Sequence, residues 1–122
     1  MCNLVPVETE TCGIVFVADI KRPHIENLLE QAKKLPNVKE VILFGSILHE
    51  HCTEESDIDV AITGSLEQRE MILSKEFDEF VRNVFRFDRE EQYDFLYKKY
   101  DKEPKLIWKK VMENGKHVIR NP

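Results

Sequence analysis

Apolar residues recur with the period of a helix in three parts of the chain. After Pro23, a residue suited to the first turn of a helix, a stripe runs until Pro36 prevents continuation, and it consists of Ile25, Leu28, Leu29, Ala32 and Leu35. Ser65 with Gln68 predicts a capping box for a second helix, whose stripe consists of Leu73, Phe77, Phe80, Val81 and Val84. A third, shorter helix is predicted over 103–113, closed by Asn114-Gly115.

Short β-branched or alternating segments between these helices predict the strands. They cover 38–44, 58–62, 92–98 and 117–120. Segment 11–18 predicts a first strand or an arm, whose partner the pattern does not identify. Because helices alternate with strands, we expect an α/β (α+β) fold in which a small mixed β-sheet is flanked by helices.

The length and composition limit the kind of protein. A chain of 122 residues predicts a single domain over 1–122 and leaves no room for a second one that would bind substrate. Hydrophobic residues make up 42% and charged residues 34%, which excludes the disordered and fibrous classes. The apolar stretches are too short to span a membrane, and the first ten residues do not resemble a secretory signal. We therefore expect a soluble, cytoplasmic protein that does not bind membranes.

The net charge indicates which partners the protein can bind, and the cysteines indicate the redox state of its compartment. With 18 basic and 23 acidic residues the formal net charge is −5, which does not favour direct nucleic-acid binding. If this protein binds a phosphate compound, cations must help. The three cysteines are odd in number and have no CxxC spacing, so reduced thiols are expected.

The most informative segment is Gly45-Ser46, ten further residues, and then Asp57-Ile-Asp59. Side chains alternate along a strand, so Asp57 and Asp59 project from one face, and paired carboxylates are ligands that Mg²⁺ prefers. Gly45 lets the backbone approach a phosphate, and Ser46 offers an N–H and a hydroxyl. A helical turn after Ser46 would also favour an anion. Asp94, on the next strand, adds a third carboxylate, so the segment predicts a two-metal site that binds a phosphate compound.

This pattern resembles the polymerase-β-like nucleotidyltransferase superfamily, and the short length resembles its minimal nucleotidyltransferase (MNT) branch. The resemblance covers roughly 38–97, and the last helix and strand are similar less specifically. It implies the fold of that superfamily and transfer of a nucleoside monophosphate, AMP from ATP, to a hydroxyl. Many members of the MNT branch are antitoxins encoded beside a HEPN-domain toxin, and some silence the toxin by transferring AMP onto it. The resemblance thus implies a nucleoside triphosphate and a HEPN-type protein as partners.

The same resemblance implies a role for each matching residue. Gly45 and Ser46 hold the triphosphate, Asp57 and Asp59 bind two Mg²⁺ ions, and Asp94 bridges a metal and helps to activate the acceptor hydroxyl. Asp88 competes for the third acidic position. We prefer Asp94, because it lies in an alternating strand pattern, whereas Asp88 lies in a charged connection.

One departure from the family pattern keeps alternatives open. After Gly-Ser the family commonly has a small-residue run with an arginine or tyrosine, whereas this chain has Ile47-Leu48-His49-Glu50-His51. A binding-only antitoxin with a vestigial metal site is therefore an alternative, as is a transferase for a small molecule, which would need a partner or a homo-oligomer to complete its pocket. His49 or His51 could contact phosphate, bind zinc together with Cys52, or lie in a solvated loop.

Overall fold

Strands form two separate sheets in the computed structural model, which describes residues 2–122. Strands β1 (Leu4–Glu8) and β2 (Ile14–Ala18) form an antiparallel hairpin. The second sheet has the order β5-β4-β3-β6, and its strands are β3 (Val38–Phe44), β4 (Ile58–Gly64), β5 (Tyr93–Lys99) and β6 (Lys116–Arg120). Strands β4 and β5 run parallel, and the other pairs are antiparallel. The predicted small mixed sheet is therefore confirmed.

Helices cover both faces of this sheet. They are α1 (Arg22–Ala32), α2 (Gln68–Ile72), α3 (Lys75–Phe87) and α4 (Leu106–Asn114). The larger core joins α1, α3 and the hairpin to one sheet face, with Leu28, Val60 and Phe80 among its buried members. On the other face Trp108 of α4 packs with Ile42 and Ala61. Among residues 2–122, no helix is long and apolar enough to cross a membrane.

The predicted second helix begins at a different residue in the structure and is interrupted. The residue before α2 is Glu67, not Ser65, and its N–H donates to Glu70 Oε1 at 3.4 Å. The helix then breaks, because Ser74 caps α3 by accepting a hydrogen bond from the Phe77 N–H at 3.1 Å. Leu73, expected in the apolar stripe, is 73% exposed at this break. Two helices therefore replace the single predicted one.

Smaller differences concern the ends of the elements and the first strand. Helix α1 ends at Ala32 rather than at Leu35, and α4 begins at Leu106. Gly115 follows α4 with φ −79°, so it does not adopt the left-handed conformation common after helices. The partner of the first predicted strand is β1, which the apolar pattern did not identify. None of these differences moves the strands that carry the motif.

Candidate active site

The ends of three neighbouring strands bring the motif residues to one edge of the sheet. Phe44, the last residue of β3, pairs with Asp59 near the start of β4. Asp59 in turn lies beside Asp94 in the parallel register of β4 and β5. Gly45 and Ser46 follow β3 directly, and Asp57 directly precedes β4. Residues far apart in the sequence therefore meet at this edge.

Gly45 and Asp59 are in direct contact. Gly45 has φ +81°, a conformation that favours glycine. A Cβ atom at position 45 would collide with Asp59 Oδ2 and would lie 3.2 Å from Asp59 Cγ. The carboxylate of Asp59 thus occupies the space that any other residue at position 45 would need.

A single turn of 3-10 helix, Gly45–Leu48, follows β3. The N–H of His49 donates to the Ser46 carbonyl at 3.0 Å, and the chain is extended again at His49. Ile47 is fully buried and fixes this turn on the core. The helical turn expected after Ser46 is present, but it does not continue as an α-helix.

The three aspartates of this edge influence one another electrostatically. Asp57 and Asp94 are exposed, whereas Asp59 is half-buried. Burial raises the pKa of Asp59, and the negative charges of Asp94 and Asp57 raise it further. A divalent cation would relieve this repulsion, and carboxylate oxygens are the donors that Mg²⁺ prefers. The donor set at this edge therefore fits Mg²⁺, and we name it the acidic edge (Asp57, Asp59 and Asp94).

Asp88, the competitor for the third position, is engaged elsewhere. Its Oδ2 lies 2.8 Å from His24 Nε2, and this hydrogen bond is the main reason why the pKa of Asp88 is lowered. His24, Asp88 and Glu91 have potential metal-ligand atoms within 4.8 Å of one another. Among residues 2–122, this is the one group of three His, Cys, Asp or Glu side chains with that spacing. The ligand atoms of Asp57, Asp59 and Asp94 do not all come within that distance of one another.

The histidines of the connecting segment stack on each other. The ring centroids of His49 and His51 lie 5.2 Å apart at an interplanar angle of 9°. Cys52 is buried, and its carbonyl accepts a hydrogen bond from the Cys2 thiol at 2.6 Å. Segment 45–59 contains no lysine or arginine, so it provides no permanent positive charge for a triphosphate.

Lys21 is a buried residue near the site that the sequence pattern did not single out. It ends a 3-10 turn after β2 and is 1% exposed. Its ammonium contacts the Glu91 carboxylate at 2.8 Å. Nothing in the local sequence distinguishes Lys21 from the solvated lysines, because the partner that permits its burial lies far along the chain.

Comparison with known proteins agrees with this geometry. Residues 26–122 match the family described as Polymerase beta, Nucleotidyltransferase. The chain belongs to this nucleotidyltransferase family. The predicted nucleotidyltransferase fold is thereby confirmed, and the matched residues include the whole acidic edge.

This chain is also similar to a solved structure. A chain in the solved complex of tri-AMPylated Shewanella oneidensis HEPN toxin with MNT antitoxin is similar to this nucleotidyltransferase domain, with a TM-score of 0.48 and 18% identity. The similarity covers 84% of this chain and 71% of that chain. No curated protein matches the sequence.

Proposed function

We propose that this nucleotidyltransferase transfers AMP from ATP to a hydroxyl group of a protein partner. The observation that supports the proposal is the register that sets Asp59 beside Asp94 and against Gly45, with Asp57 directly before β4. Three carboxylates, with the backbone N–H groups and the hydroxyl of a Gly-Ser turn beside them, are the groups that nucleotidyl transfer needs.

In this proposal each group has a separate task. Asp57 and Asp59 hold Mg²⁺, and Asp94 both contacts a metal and accepts the proton of the acceptor hydroxyl. Gly45 and Ser46 bind the triphosphate through backbone N–H groups and the serine hydroxyl. Bound Mg²⁺ would supply charge neutralisation at the entering and leaving oxygens.

The proposed reaction is one in-line displacement at the α-phosphorus of ATP. The acceptor oxygen forms a bond to that phosphorus, and the bond from phosphorus to the bridging oxygen of the β-phosphate breaks. Pyrophosphate leaves with the electron pair, and the hydroxyl proton passes to the carboxylate of Asp94. The products are an AMP ester on the acceptor and pyrophosphate.

The proposed acceptor is a HEPN-type toxin, and this protein would be its antitoxin. The proposal follows from the resemblance to the MNT branch given above, in which many members are antitoxins of HEPN-domain toxins.

The experiment combines the purified protein with ATP, Mg²⁺ and the product of the neighbouring gene, which is tested as the HEPN-type acceptor. Intact mass spectrometry should show AMP added to that product. Asp57→Asn and Asp59→Asn should each abolish the addition. Asp78→Asn is the matched control, because Asp78 is an exposed carboxylate on α3 that pairs with Arg82. Transfer that persists in both Asp57→Asn and Asp59→Asn would overturn the site assignment.

A binding-only antitoxin is the second candidate. It is favoured by segment 45–59, which has no lysine or arginine to bind a triphosphate. In that case wild-type protein would form a complex with the toxin and add no AMP to it. Complex formation without transfer would therefore replace the first proposal with the second.

A further inference from the structure

Lys21 forms a buried ion pair that joins three distant parts of the chain. Its Nζ donates to Glu91 Oε1 at 2.9 Å, to Glu91 Oε2 at 2.8 Å and to the Glu54 carbonyl at 3.0 Å. An ammonium has three donors, so all of them are used. A charge is retained in a protein interior when it is paired and hydrogen-bonded in this way.

One end of this contact lies on the segment that leads into the Asp-x-Asp motif. Glu54 belongs to the connection between the Gly45–Leu48 turn and β4, three residues before Asp57. Glu54 is exposed, as are its neighbours in this connection. An exposed connection loses conformational entropy when it is ordered. The bond from the buried Lys21 is the contact by which Glu54 is tied to the β5 entry, and it adds to the local bond from the Ser56 N–H to the Thr53 carbonyl.

The other end lies at the entry to β5. Glu91 Oε1 also accepts the N–H of Gln92 at 3.1 Å, and the Gln92 carbonyl accepts the N–H of Ile58 at 2.9 Å. Ile58 is the residue between the two aspartates of the motif, and Asp94 follows Glu91 by three positions. A continuous path of hydrogen bonds thus runs from Lys21 to the backbone at the start of both acid-bearing strands.

We propose that Lys21 is a positioning residue for the acidic edge. Through Glu91 and the Glu54 carbonyl, it holds the connection and the β5 entry, and thereby the backbone from which the carboxylates of Asp57, Asp59 and Asp94 project. The inference rests on the proposed function, because it assigns Lys21 to the metal site of that reaction. Partners outside the ligand set commonly orient metal ligands and affect metal affinity in this way.

The Lys21 ammonium also explains why His24, Asp88 and Glu91 can lie close together. Both Glu91 oxygens contact Lys21, and Asp88 is hydrogen-bonded to His24 at 2.8 Å. A divalent cation there would lie next to a buried positive charge, which would repel it. Lys21 therefore supplies the cation of this group, and we assign the group to positioning rather than to metal binding.

The test compares a variant that removes only Lys21 with a variant that removes both members of the Lys21–Glu91 ion pair. Lys21→Met leaves Glu91 buried without a counter-ion, which is expected to destabilise the fold. The double variant Lys21→Met/Glu91→Met replaces the pair by apolar side chains, a change that is often neutral for stability. Lys33→Met is the control, because Lys33 forms exposed ion pairs with Glu10 and Glu30 away from the acidic edge.

Mn²⁺ is the probe, and its free concentration is measured by electron paramagnetic resonance in parallel with urea unfolding. In the double variant we expect folding like that of wild type and a Mn²⁺ affinity lower by about tenfold, the lower end of the range for partners of metal ligands. Lys33→Met should bind Mn²⁺ like wild type. Hydrogen exchange in segment 52–58 should be faster in the double variant and unchanged in Lys33→Met.

The outcomes separate this inference from the function on which it rests. If wild type binds Mn²⁺ and the folded double variant binds it equally well, Lys21 has only a structural role and the inference is wrong. If wild type itself binds no Mn²⁺, the proposed metal site and this inference are both overturned.

Discussion

Replacing Gly45 with alanine tests whether the contact between Gly45 and Asp59 defines the site. A non-glycine residue at φ +81° costs about 1–2 kcal/mol. The new Cβ also collides with Asp59 Oδ2, so the carboxylate must turn away, and an off-rotamer side chain costs about 0.5–1.5 kcal/mol. We therefore expect Gly45→Ala to lower the free energy of unfolding by about 1.5–3.5 kcal/mol.

Gly13 provides a matched control for the backbone part of this effect. Gly13 lies in the β1–β2 hairpin with φ +72°, and a Cβ there would meet no atom within 4 Å. Gly13→Ala should therefore cost only the conformational part, about 1–2 kcal/mol. The difference between the two variants measures the collision with Asp59.

This prediction is tested by measuring urea unfolding and Mn²⁺ affinity for both variants. With a urea dependence of about 2 kcal/mol per molar, Gly45→Ala should lower the urea midpoint by roughly 1–2 M. Mn²⁺ affinity should fall in Gly45→Ala and stay unchanged in Gly13→Ala, because only the first variant displaces Asp59. Equal losses of stability in both variants, with Mn²⁺ affinity unchanged in both, would refute the reasoning.

Three further predictions concern the core and the Asp88 contact. Trp108→Ala should lower the free energy of unfolding by about 3–5 kcal/mol, because α4 loses its main contact with the sheet; a urea midpoint near that of wild type would contradict this. Ile47→Ala should cost about 2–5 kcal/mol in the same assay and should also weaken Mn²⁺ binding, since Ile47 anchors the turn after β3; a stability loss with full Mn²⁺ affinity would separate that turn from the metal site. The hydrogen bond with His24 lowers the pKa of Asp88, so its stabilising effect is present above the unfolded-state value of about 3.9 and is lost as the pH falls through the lower folded-state value. Asp88→Asn should therefore be less stable than wild type at pH 7, and the two proteins should converge at the acid end of a urea series; a difference that is constant with pH would exclude this linkage.

The strands of the main sheet were predictable because their patterns are local. Segment 38–44 was predicted as a strand, and β3 has these bounds. The alternation of Tyr93, Phe95 and Tyr97 with polar residues predicted the next strand, which placed Asp94 on the face opposite those aromatic side chains. The register between β4 and β5 places Asp94 beside Asp59. This proximity could not be predicted from the pattern within either strand.

The features that the sequence did not reveal depend on distant contacts or on competing local bonds. Strand β1 is short and contains Pro6, so only its pairing with β2 identifies it. The break before α3 arises because Ser74 caps a new helix within a segment whose apolar spacing would permit one continuous helix. Lys21 is buried because Glu91 lies opposite it in the folded chain, and the sequence around Lys21 contains no sign of this distant partner.

The sheet order has a consequence for how the chain folds. Strand β3 lies between β4 and β6, so one of its two neighbours is the strand nearest the carboxyl end. Until β6 docks, one edge of the apolar β3 is unpaired, and such edges promote aggregation. Asp94 joins the other aspartates only after the two-helix crossover between β4 and β5 has closed, and pairings between distant segments form slowly. Refolding yield should therefore fall as protein concentration rises, and metal binding should be among the last properties to return.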